Sequence, residues 1–71
     1  MRRGLNEMVE LSSPVEGWRF TLTPDWVGSG SVHWVIYAPS DASTKKRLSA
    51  KAWVEQQIQD MGLICAGGRW A

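Results

Sequence analysis

The sequence predicts an α+β domain, a three-stranded antiparallel sheet followed by one packed α-helix. Three observations carry that expectation: period-two alternation at 18–23, an unbroken β-branched and aromatic run at 32–38, and a helical stripe of apolar residues over 50–61. With 71 residues, the chain can hold one hydrophobic core, because a domain near this size buries only about 60% of the surface its unfolded form exposes.

Residues 1–14 show no sustained period and end in Ser12-Ser13-Pro14, so they read as an N-terminal arm, with Met8-Val9-Glu10-Leu11 long enough to pair briefly as an edge strand. The domain proper spans 15–62. Its first strand alternates Trp18, Phe20 and Leu22 with Arg19, Thr21 and Thr23, which predicts one buried face. Val27-Gly28-Ser29-Gly30-Ser31 supplies the positive-φ tolerance that a hairpin connection needs. In the second strand Val32, Trp34 and Ile36 share one face and His33, Val35 and Tyr37 the other; apolar residues on both sides predict a central position. Lys45 to Leu48 reads as a short charged third strand at the sheet edge.

Ser49 is the expected N-cap of the helix, whose buried stripe is Ala50, Val54, Ile58 and Met61 with Trp53 beside it. Gly62 sits where a left-handed cap is expected, and Leu63 can fold back on the last turn. Residues 63–71 form a C-terminal segment that either adds a short strand or drapes Trp70 over the domain.

Composition narrows the function classes. Cys65 is the only cysteine and His33 the only histidine, which excludes an internal disulfide framework and a four-ligand zinc site of the usual kind. No metal and no cofactor are expected: Gly28 and Gly30 lack the Gly-Lys-Ser/Thr ending of a phosphate loop. No apolar run resembles a signal peptide or is long enough to span a bilayer, so a reducing intracellular setting is expected, the nucleus in a eukaryote or the cytoplasm in a bacterium or phage host. His33 has no activated nucleophile near it in sequence, and Cys65 reads as a small core residue; nothing points to an enzyme.

Two features point to binding instead. Net charge is only +1, yet Lys45, Lys46, Arg47 and Lys51 fall close together, a phosphate-contacting cluster or a solvated edge. The chain also carries five tryptophans. Trp18, Trp34 and Trp53 lie on apolar faces and read as core, whereas Trp26, in a loop, and Trp70, in the tail, are candidate anchors for a base or a protein partner.

The string Glu16-Gly17-Trp18, the glycine-bearing hairpin at 27–31, the strand His33-Trp34-Val35-Ile36-Tyr37 with Pro39-Ser40 after it, and Lys45-Lys46-Arg47-Leu48-Ser49 leading into a helix resemble the methyl-CpG-binding domain family over roughly 14–62. Phage-integrase arm-binding domains are similar in layout. The resemblance implies a DNA-binding scaffold whose hairpin loop and helix start enter the major groove. The hairpin from Thr21 to Ser31 carries no lysine or arginine where the family places its first guanine-reading arginine, and Leu48 stands where the second would be, with Arg47 adjacent. The sequence therefore leads to two readings. One is a small non-enzymatic DNA-binding module contacting phosphates through Lys45, Lys46, Arg47 and Lys51, without methyl-CpG selectivity. The other is a protein-binding adaptor or phage-type inhibitor using exposed Trp26 and Trp70.

Overall fold

A computed structural model describes residues 5–71, so the first four residues of the expected arm lie outside it. The chain runs β1 (Val9–Leu11), β2 (Arg19–Pro24), β3 (Ser31–Tyr37), α1 (Thr44–Asp60) and β4 (Ile64–Trp70). The four strands form one sheet in the order β1-β2-β3-β4. β1/β2 and β2/β3 are antiparallel, while β4 lies parallel to β3 after the helical crossover that a parallel pairing requires.

Register decides which residues meet. Leu11 pairs with Phe20 and Phe20 with Ile36, while Val9 pairs with Leu22 and Leu22 with Trp34, so the apolar positions of three strands share one face. That face and the buried side of α1, Val54 and Ile58, close the core with Trp18, Val32 and Leu63. The other face carries Glu10, Arg19, Thr21, Thr23, His33, Val35 and Tyr37, and among the described residues no helix covers it. Thr21 and Val35 are nonetheless buried in its middle, and the Thr21 hydroxyl has no hydrogen-bond partner among the described residues.

A three-stranded antiparallel meander followed by a helix is present, but it is built from different segments than expected. Lys45 to Leu48 is not a third strand; it lies in the first turns of α1, and the third antiparallel strand is β1. The cause is the cap. Ser43, in extended conformation, accepts a hydrogen bond at its Oγ from the Lys46 N–H (3.1 Å), and the Arg47 N–H bonds the Ser43 carbonyl (3.0 Å). Ser49 is therefore mid-helix and not the N-cap.

The helix end follows the sequence expectation. The Gly62 N–H bonds the Gln59 carbonyl and the Leu63 N–H bonds the Ile58 carbonyl (2.9 and 3.1 Å), Gly62 adopts φ 75°, and Leu63 is buried against the core. Met61 is the exception. It forms the C-cap and is exposed, so the buried stripe stops at Ile58. The C-terminal segment is a full strand, and it changes the fate of two residues. Cys65 is exposed on β4 and is not a core residue. Trp70 sets its ring edge-on to Trp34 with centroids 5.5 Å apart, and Trp34 packs directly over Gly68.

Candidate ligand groove at the helix start

α1 begins with Thr44, Lys45 and Lys46, and its first turn contains no acidic residue. Two cations there oppose the positive end of the helix macrodipole, an arrangement that costs a few tenths of a kcal/mol or more per charge. The local potential is correspondingly positive. Among the described residues neither lysine has an ion-pair partner.

Beside this turn lies a groove of about 550 Å³ that is open on one side. Its floor is aromatic. Trp18 stacks on Phe20 at 6.2 Å between centroids with an interplanar angle of 13°, and Phe20 meets Trp53 edge-on at 4.8 Å. The groove exists because Trp18 and Phe20 enter from β2 and the loop before it, while Ala50 and Trp53 stand two turns into α1, on the side facing Pro14 and Val15 of the β1–β2 loop. Lys45 and Lys46 form its polar rim. The volume falls in the range of specific ligand sites, about 300–1,000 Å³, and the composition matches them: apolar walls with a few placed charges.

The structure divides the basic cluster. Lys45 and Lys46 face the groove, whereas Arg47 is committed internally: its Nε and guanidinium donate to the carbonyls of Ala42 and Pro39 (both 3.3 Å), and its plane lies 5.4 Å from the Trp70 ring centre. Lys51 pairs with Glu55 at 3.2 Å one turn on. Of the two candidate anchor tryptophans, Trp26 projects from the β2–β3 turn with 69% of its surface exposed, while Trp70 is held between Arg47 and Trp34. Trp18, Phe20 and Trp53 as a common floor were not legible as a site, because their convergence depends on where α1 starts.

On the helix-free face, His33 Nδ1 lies 3.2 Å from Asp25 Oδ1, and the Ser31 hydroxyl donates to Asp25 Oδ2 at 2.9 Å. These two hydrogen bonds, that of His33 the larger, hold the Asp25 carboxyl below the ordinary aspartate range. Ser31 bonds Asp25 and not His33, so the nucleophile–base–carboxylate order of a hydrolytic triad is not formed. Among the described residues no group of three or more His, Cys, Asp or Glu is placed to hold a metal, and no helix is long and apolar enough to cross a membrane.

Comparisons with protein-family models, with curated proteins and with solved structures each return no match to this chain.

Proposed function

We propose that this protein is a non-enzymatic binding module, and that its groove takes a protein segment presenting a bulky apolar side chain flanked by carboxylates. The observation that supports this reading is the juxtaposition of the Trp18–Phe20–Trp53 floor with two unpaired lysines at the helix start. An apolar anchor fills the aromatic slot, as hot-spot residues do at protein interfaces, and the lysines set the charge of what lies beside it. The open side of the groove suits a residue projecting from a partner chain.

DNA binding is the second reading, favoured by the position of Lys45 and Lys46 in the first turn of α1, a natural phosphate contact. It has fewer cations at its disposal than the sequence promised, since Arg47 and Lys51 have partners of their own.

A selection of random peptides displayed on phage against the full chain separates the two. The expected winners carry Trp, Phe or Leu beside Asp or Glu, lose at least tenfold in affinity against a Lys45→Ala, Lys46→Ala variant, and lose binding against Trp53→Ala. Peptides without acidic residues, or no enrichment, would overturn the protein reading. Gel shifts over a salt series test DNA in parallel: binding whose salt slope drops by about two in the double lysine variant favours the second reading. In that case methylated and unmethylated CpG duplexes should bind within tenfold of each other, because two guanine-reading arginines are missing.

A further inference from the structure

A second site lies on the opposite side of the sheet. The β3–β4 register sets His33 opposite Gly67 and Val35 opposite Arg69, which brings the only histidine and an arginine to the same helix-free face on adjacent strands. With Asp25, Ala66 and Gly68 they line a cleft of about 300 Å³. Gly67 adopts φ 141°, and a methyl placed on it would meet nothing within 4 Å, so the floor between the two side chains is bare backbone and open space.

The cleft holds one carboxylate beside its two basic side chains. Among the described residues Asp25 is the only acid lining it, and both its oxygens are engaged, Oδ1 by His33 Nδ1 and Oδ2 by the Ser31 hydroxyl. A carboxylate only accepts, so the proton on that side of the ring sits on Nδ1, and Nε2 is the nitrogen left for a ligand. Arg69 has no ion-pair partner among the described residues. An oriented imidazole and a guanidinium without an ion-pair partner among the described residues can together hold an oxyanion.

We propose that this cleft binds a phosphate monoester, with the Arg69 guanidinium and the Nε2–H of His33 as its two donors. The two side chains come from adjacent strands, so a phosphoryl group can offer a separate oxygen to each, and a bound anion favours the ring form protonated on both nitrogens, so that Nε2 donates. Ser31 and Asp25 act as positioning residues for His33. The site is independent of the groove at the helix start, which lies on the other face.

The test uses the full chain labelled with ¹³C and ¹⁵N, in which the single histidine gives an unambiguous ring signal. Phenyl phosphate, inorganic phosphate, benzoate and chloride are titrated at matched ionic strength. Phenyl phosphate should produce saturating shifts at the His33 ring and the Arg69 Nε–H, and should bind at least as tightly as inorganic phosphate and at least tenfold more tightly than benzoate. Arg69→Met and His33→Gln should each weaken it tenfold or more with the urea midpoint preserved, while Met61→Ala leaves it unchanged. Shifts that fail to saturate or match those of chloride, binding that survives Arg69→Met, a preference for inorganic phosphate, or equal affinity for benzoate would overturn the assignment.

Discussion

Replacing Gly68 by alanine should destabilise the domain through one contact, the Trp34 indole lying across the Gly68 backbone. A Cβ built at Gly68 falls within the Trp34 ring system, so the indole must move. It has little room: Trp34 is 3% exposed, lies in the core cluster and meets Trp70 edge-on. Forcing a methyl into a packed core costs about 1–3 kcal/mol. Relief of the glycine penalty in a strand returns about 0.5–1 kcal/mol. The net spans about 0–2.5 kcal/mol and centres near 1 kcal/mol, which at a urea m-value of about 1 kcal/mol/M lowers the midpoint by about 1 M. Urea unfolding followed by tryptophan fluorescence and far-UV circular dichroism reads this directly. A double-mutant cycle isolates the cause. In a Trp34→Phe background, where the ring is smaller and the unpartnered indole Nε1 is gone, Gly68→Ala should cost under about 0.5 kcal/mol. An unchanged midpoint for the single variant, or the same loss in both backgrounds, would refute the parallel β3–β4 register.

Ile58→Ala should cost about 2–4 kcal/mol, since Ile58 is 1% exposed, whereas Met61→Ala should fall within about 0.5 kcal/mol; thermal or urea midpoints decide. Ser43→Ala should cost about 1 kcal/mol and Ser49→Ala close to nothing, and a reversed order in urea titrations would restore the later helix start. Asp25 contributes through its depressed carboxyl, so the sign is that of a group protonated more readily unfolded than folded: its contribution is complete above the ordinary aspartate value of about 3.9 and is lost as pH falls below it. Asp25→Asn should flatten the acid limb of a stability–pH curve in that window, and an identical limb would show the His33 and Ser31 contacts to be idle.

Local pattern determined much of this protein. The alternation at 18–23 and the β-branched, aromatic run at 32–38 made two strands whatever lay around them, and the Gly62–Leu63 pair closed the helix by chemistry confined to one turn. Val54 and Ile58 were legible as core from spacing alone, and Trp26 as exposed from its place in a turn. The helix start was not. Lys45-Lys46-Arg47-Leu48 fits a charged edge strand or a solvated helical turn equally well, and the choice fell to Ser43, one of several serines and threonines able to cap. That decision moved two lysines onto the rim of an aromatic groove and tied Arg47 to Trp70. β4 carries a weak strand signal, with two glycines and no alternation. It is placed by the sheet edge that β3 offers and by the flat contact between Trp34 and Gly68, a long-range contact no local window contains. Both candidate sites depend on such placements, because each is assembled from segments far apart in the chain, and only closure of the sheet against the helix brings them within reach of one ligand.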